Sequence, residues 1–184
     1  MSRPRASANH RLDRVRNRRS RRNAAATLEV ILTLPLLMIV MLAIVEFGLL
    51  LANLQYVEMA SRSGALVASR LPAATLNGGA FPTDITTAVN EELAKLGSGI
   101  QARQVYLQHN VGGSPVSPRA GGQSTSPIPY KTITDPPVPP SGSYVRVTVF
   151  VDFRSVAPNL LATFGLNYQN ATVQQTTTFP HTLP

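Results

Sequence analysis

The feature that most constrains this chain is an uncharged apolar run of sixteen residues, Val30 to Val45. As a helix this run is roughly 24 Å long, whereas the hydrocarbon core of a bilayer is about 30 Å thick. A spanning helix must therefore include residues 24–28 with Glu29, residues 47–52 with Glu46, or both. Because a carboxyl at mid-membrane costs about 2.5–3.5 kcal/mol, a simple anchor would not carry one. We interpret one of the two glutamates, Glu29, as functional.

The net charge of +8 belongs to the first 22 residues alone. They hold nine arginines and one aspartate, whereas residues 23–184 hold eight basic and eight acidic side chains. Arginine-rich flanks stay in the cytoplasm, so we predict a cytoplasmic N-terminus and an outer C-terminal part. The alternative is that the tail is an arm that binds nucleic acid or anionic lipid. We favour the topological interpretation and expect no nucleic-acid partner.

No metal site or other cofactor is expected. The chain has no cysteine and therefore no disulfide or thiolate ligand, and its three histidines are scattered in sequence. It also lacks a nucleophile motif, a paired-carboxylate motif and a phosphate-binding loop. We therefore expect that the protein is not an enzyme and has no small-molecule substrate.

The apolar run is expected to belong to one continuous helix from about Ala25 to Arg70. Pro35 lacks a backbone N–H for the carbonyl of Ile31, which predicts a bend. After Glu46 the apolar residues recur on one side only, which is typical of a helix that leaves the membrane and packs on one face. The run is longer than the apolar region of a cleaved signal peptide, so a retained anchor is favoured.

Small residues follow one another at multiples of four along the outer half of this helix. Such a pattern lets another helix approach closely, and packing against the protein's own domain explains it equally well. The residues of this pattern are Gly48, Ala52, Ala60, Gly64 and Ala68.

The rest of the chain predicts a small α+β domain. A helix is expected from about Asp84 to Leu96, capped by Thr83 or Asp84, and the clearest strand, Tyr144 to Phe153, alternates valines with polar or aromatic residues. Residues 112–142 hold eight prolines and five glycines and predict an exposed loop. The remaining predicted elements are a strand at 100–108, a helical turn at 159–164 closed by Gly165, and a Thr-rich strand at 171–179 that pairs with the long strand.

These elements together predict a membrane-anchored α+β protein with one helix on a three-stranded antiparallel sheet. We divide the chain into a disordered or loosely helical cytoplasmic tail, residues 1–23, and a transmembrane and protruding helix, residues 24–71. A small extracytoplasmic domain with the Pro/Gly-rich loop occupies residues 72–184.

The N-terminal third resembles the TadE-like family, small pilin-like proteins of the bacterial tight-adherence (Flp) pilus system. The resemblance runs through Arg21-Arg22, the alanines, Glu29 and Pro35. It continues with Ile44-Val45-Glu46-Phe47-Gly48 and ends at Ala60-Ser61-Arg62-Ser63-Gly64-Ala65. The strand at 144–153 and the Thr-rich strand after it are similar to the C-terminal half of the family.

The resemblance implies a single-pass protein of the bacterial inner membrane whose tail is removed by a prepilin peptidase. The cut would fall between Ala24 and Ala25, although family members usually have glycine before the cut and an aromatic residue after the glutamate, where this chain has Ala24 and Val30. After such a cut, the carboxylate of Glu29 in one subunit is placed to pair with the new amine of a neighbour, while Glu46, Phe47 and Gly48 mark the outer interface.

The leading hypothesis is therefore a structural or assembly component of a tight-adherence pilus or a related envelope secretion machine. Its expected partners are membrane lipid, other pilin-like subunits and pilus assembly proteins. A membrane-anchored adhesin or sensor unrelated to pili is the alternative.

Overall fold

The structure is a computed structural model, and its longest element is the N-terminal helix. Residues 9–97, 100–111, 113, 115–122, 142–165 and 171–181 are described, with side chains from residue 26 onwards. Helix α1, Asn9–Ser69, is continuous and contains Pro35. This confirms the long helix, which begins at Asn9 rather than near Ala25 and so includes part of the expected tail.

The chain divides into two compact units, residues 1–44 and 45–184. In the first unit the side chains of α1 are largely exposed, among them Leu28 (65% exposed) and Leu32 (70%). The part of α1 from Ala26 to Ser69 is long and apolar enough to cross a membrane. An apolar helix surface with no protein cover is typical of a membrane-spanning segment.

The second unit contains a four-stranded antiparallel sheet. The strands are β1, Gln104–His109; β2, Arg119–Gly121; β3, Tyr144–Asp152; and β4, Thr172–Pro180, and their order in the sheet is β2-β1-β3-β4. The central long strand β3 pairs on one side with β1, where Leu107 lies opposite Val147, and on the other with β4, where Thr177 lies opposite Val147. The α+β class and the pairing of the last two strands are therefore confirmed.

The expectation of three strands was wrong, because β2 lies inside the predicted loop 112–142. This strand pairs with β1, and Ala120 lies opposite Tyr106. Its Gly121 is packed so closely on Phe81 that an added Cβ would lie 2.3 Å from the ring. Three residues are too few for an alternation to be visible in sequence, and the rest of that loop, 123–141, lies outside the described residues.

The helices after α1 are short. They are α2, Ala73–Asn77; α3, Thr83–Ala94; and α4, Phe153–Val156; a 3₁₀ helix, Leu160–Phe164, follows. The predicted turn at 159–164 is confirmed, and Gly165 closes it with a φ of 87°. The predicted cap of α3 was wrong, because Pro82 holds the N-cap position and no side chain caps it.

More than the one expected helix shares a core with the sheet, because α2 and α4 also contribute Leu76 and Val156. The outer half of α1 contributes Val57 and Ala60, α3 contributes Ile85 and Val89, and β3 contributes Val147. Each of these five side chains is fully buried. The valine alternation predicted for β3 therefore supplies the core face of the sheet.

The other face of β3 is also buried, which the alternation does not indicate. Arg146 is 1% exposed, and its Nε donates a hydrogen bond of 3.0 Å to Oγ1 of Thr178. The hydroxyls of Thr148 and Thr176 lie 2.9 Å apart on the same face. A buried guanidinium needs such partners, because an unpaired charge in a protein interior is costly.

Candidate functional site

Glu29 carries a carboxylate on the exposed, apolar surface of α1. Its backbone carbonyl accepts a hydrogen bond of 2.8 Å from Oγ1 of Thr33, one turn later. Its side chain is exposed and forms no ion pair with any residue whose side chain the structure describes, from Ala26 onwards. A carboxylate among lipid-facing side chains is the kind of group that attracts a cation from outside the chain.

Glu46, in contrast, is buried, although the sequence had indicated a side chain that reaches the outer interface. Its side chain is 3% exposed, and Oε2 accepts a hydrogen bond of 3.0 Å from the backbone N–H of Leu161. The second oxygen, Oε1, is buried and has no hydrogen-bond partner among the described residues. The carboxylate is therefore held by the 3₁₀ helix Leu160–Phe164 and not extended into water, while the assignment of Glu46, Phe47 and Gly48 to the outer interface stays a prediction.

A cavity of about 110 Å³ adjoins Glu46. Its other walls are apolar and come from two segments of the chain, α1 and the stretch after β3. The lining residues are Glu46, Phe47, Leu50, Phe153 and Leu161. Phe47 is 52% exposed, so the cavity lies close to the surface.

Asn53 makes a second connection between α1 and the same stretch of chain. Its Nδ2 donates a hydrogen bond to the carbonyl of Val156, at the end of α4. Glu46 and Asn53 are seven residues apart, close to two helical turns, and so lie on one face of α1. Together they attach residues 156–161 to the helix through backbone groups.

The predicted small residues Ala60, Gly64 and Ala68 lie in the core of their own domain. Ala60 and Ala68 are fully buried. A Cβ at Gly64 would lie 2.7 Å from Val89 and 3.2 Å from Val147, so the glycine allows α1, α3 and β3 to meet. Of the two explanations for this pattern, packing on the own domain is the one that the structure displays for these three residues.

The remaining predicted positions are Gly48, the proposed cleavage site and Pro35. Gly48 is exposed, and an added Cβ would meet nothing within 4 Å. Ala24 and Ala25 lie within α1, but their side chains are outside the described part, and cleavage between them stays a prediction. Pro35 lies within α1, where it leaves the carbonyl of Ile31 without its usual partner.

A histidine-arginine cluster at the far end of the sheet was missed by the sequence analysis. His109 is fully buried, and among the described residues neither ring nitrogen makes a hydrogen bond of ordinary geometry, although the carbonyl of Leu76 is near. Arg119 donates hydrogen bonds to the carbonyls of Leu76 and Gly78, and His181 lies 2.9 Å from the carbonyl of Leu71. These contacts attach the sheet to the end of α1 and to α2.

The pKa of His109 is lowered, chiefly because burial disfavours the charged imidazolium. The nearby carbonyl of Leu76 acts in the opposite direction, while the charge of Arg119 and the proximity of His181 lower the pKa further. His109 is therefore a neutral core residue. No signal in the sequence distinguishes it from a surface histidine.

Groups suited to metal binding were not found among the described residues, where no three His, Asp or Glu side chains come together. Asp152 instead accepts a hydrogen bond of 2.9 Å from Nη1 of Arg103 in an ion pair that is about one-third exposed. Its position at the end of β3, next to the first residues of β1, explains this pairing.

The helical segment that carries Glu29 and Glu46 is also the segment that matches a known family. Residues 24–66 match the family model described as TadE-like protein. No curated protein and no solved structure matches the chain. The matched segment includes Glu29, Pro35, Glu46 and Gly64, and it ends before α2. The resemblance seen in the sequence is confirmed over residues 24–66, which form a TadE-like region. The sheet domain that follows lies outside the match, so the similarity of its last two strands to the C-terminal half of the family stays a prediction.

Proposed function

We propose that this protein is a structural, non-enzymatic component of a tight-adherence-type pilus, a minor pilin-like subunit. The observation that carries this proposal is the TadE-like match on a helix that is bare and apolar in its first part. The TadE-like family implies a pilus-associated protein, and the structural role is our inference from the architecture.

Glu29 is proposed to hold neighbouring subunits together inside the membrane. Its carboxylate lies on the bare part of α1 and lacks an ion partner in the described residues. When the tail is removed before Ala25, the new α-amine lies four residues from Glu29, so that the amine of one subunit pairs with the carboxylate of the next. Two charges that are each costly in lipid then offset each other.

The outer sheet domain is proposed to project from the membrane as the part that meets other components. The packing of this domain on α1 includes Glu46 and Asn53, which form hydrogen bonds with Leu161 and Val156. The twenty residues from Ala26 to Val45 remain for the bilayer, about 30 Å of helix. This length matches the thickness of the hydrocarbon core. It places Glu29 inside the core, near the cytoplasmic end of the span.

The orientation follows from the charges on the two sides of this segment. Nine arginines precede it in the first 22 residues, whereas the first basic residues after it are Arg62 and Arg70. By the positive-inside rule the N-terminus is cytoplasmic and the sheet domain lies outside the inner membrane.

Deletion of the gene in its own bacterium tests the function. We expect the major pilin still to be made but surface pili to be lost, and expression of the full chain from a plasmid to restore them. Normal piliation in the deletion strain, together with a defect in surface attachment or signalling, would instead support an adhesin or sensor unrelated to pili.

A further inference from the structure

We propose that Glu46 and the cavity beside it form a binding site for a primary ammonium group, supplied by the ethanolamine headgroup of a membrane phospholipid. This inference rests on the membrane span but not on pilus assembly. Its ligand differs from the neighbouring-subunit amine proposed for Glu29.

The carboxylate of Glu46 is incompletely satisfied in the described structure. One oxygen accepts the N–H of Leu161, and the other is buried without a partner. A buried carboxylate is stabilised when a cation pairs with it and its remaining lone pairs accept hydrogen bonds. Glu46 takes part in neither of the ion pairs Lys95–Glu92 and Arg103–Asp152.

The cavity has the size and lining that suit an alkylammonium group. Its volume of about 110 Å³ corresponds to roughly three or four water volumes. An ethylammonium fragment, with three heavy atoms, fits this space. Its methylenes would pack on Leu50 and Leu161, and the lining also includes two aromatic residues, Phe47 and Phe153, of the kind that attracts a cation.

A metal ion fits this site less well. Calcium and magnesium require several oxygen ligands, whereas the wall of this cavity offers the carboxylate of Glu46 and otherwise apolar side chains. A primary ammonium has three N–H donors. One carboxylate, together with the phosphate oxygens and water of the headgroup region, can accept them. The chemistry therefore favours an organic ammonium.

The position of Glu46 along the helix points to a lipid as the source. Glu46 is the first charged residue after the sixteen uncharged residues Val30–Val45. On either side of it, Val45 is 48% and Phe47 52% exposed. An apolar segment that ends at this point brings the carboxylate to the level of the phospholipid headgroups.

Native mass spectrometry of the purified full chain tests the proposal. The protein is released from micelles that contain equal amounts of phosphatidylethanolamine and phosphatidylglycerol, and the retained lipids are counted. We expect selective retention of phosphatidylethanolamine, with apparent affinity at least about tenfold weaker in Glu46→Gln, since a lost charge pair of about 1.4 kcal/mol corresponds to tenfold.

Glu58→Gln is the matched control, because Glu58 is an exposed glutamate on the same helix and should leave retention unchanged. Leu50→Phe fills the cavity but keeps the carboxylate, and it should weaken retention as well. In Glu46→Gln the glutamine oxygen still accepts the N–H of Leu161. An unchanged near-ultraviolet circular dichroism spectrum of the tyrosines would verify that the fold of each variant is intact.

Equal retention of phosphatidylethanolamine by the wild-type protein and Glu46→Gln would overturn the proposal. So would equal retention of the two lipids by the wild-type protein. Free ethylamine in place of the lipid distinguishes the sources: if millimolar ethylamine displaces phosphatidylethanolamine completely, the site recognises an ammonium ion and the assignment to a lipid is wrong.

Discussion

The carboxylate of Glu46 accepts a hydrogen bond of 3.0 Å from the backbone N–H of Leu161, which lies 115 residues later in the chain. This bond joins the point where the apolar run of α1 ends to the 3₁₀ helix between β3 and β4. Glu46 is thus a buried connection within the chain at the end of the apolar run. It attaches the sheet domain to its helix together with the Asn53–Val156 hydrogen bond and the shared core.

Glu46→Ala should destabilise the outer domain by about 1–3 kcal/mol, because it leaves the buried N–H of Leu161 without an acceptor. Glu46→Gln should cost less, since the amide oxygen still accepts this hydrogen bond. Denaturant unfolding of the full chain in detergent, followed by tyrosine circular dichroism, measures both. Equal losses for the two variants would mean that the hydrogen bond contributes little.

Gly64→Val should lower the free energy of unfolding by about 1–3 kcal/mol through overpacking. An added Cβ already lies 2.7 Å from Val89, and the branches of valine need still more space. Gly48→Ala is the control, because nothing lies within 4 Å of its Cβ and alanine favours a helix by about 0.5–1 kcal/mol. A stable Gly64→Val domain that fails to assemble would instead assign the glycine to contacts between subunits.

Acidification should destabilise the outer domain through His109. The pKa of His109 is lowered in the folded state, so between that value and about 6.5 the unfolded chain binds a proton that the folded one does not. The free energy of unfolding is therefore unaffected by His109 above about pH 6.5. It decreases as the pH falls from there through the folded pKa, by at most about 1.4 kcal/mol per pH unit.

Denaturant unfolding at pH 7.5, 6.5 and 5.5 checks this expectation. His109→Leu removes the titrating group and should flatten the slope, although it also changes the packing near Arg119 and His181. An unchanged slope in the variant would assign the acid sensitivity to other groups.

The long-range contacts explain which parts of the molecule could be predicted. Local periodicity was enough for α1, β3 and the Thr-rich β4, and family spacing was enough for the TadE-like segment. The burial of Glu46 could not be predicted, since its partner is far away in sequence and is a backbone N–H that any residue supplies. Strand β2 could not be predicted, because three residues within a Pro/Gly-rich stretch have no visible pattern. The burial of His109 could not be predicted either, because burial of a single polar side chain depends on the tertiary fold.

The membrane topology has a direct test in spheroplasts that carry a tag at either end of the chain. The asymmetry of arginines predicts that added protease digests a C-terminal tag and spares an N-terminal one. Digestion of the N-terminal tag alone would reverse the orientation and place the sheet domain in the cytoplasm.

The central claim is that Glu29 joins this subunit to other pilus subunits within the membrane. The most direct measurement is affinity purification of the tagged full chain from membranes of its own bacterium, with quantification of the pilus proteins that accompany it. Glu29→Gln should remain in the membrane at normal levels and lose these proteins, Glu46→Gln should lose them only weakly, and Glu58→Gln should retain them. Undiminished co-purification with Glu29→Gln would contradict the claim and reduce this glutamate to an incidental polar residue of an anchor.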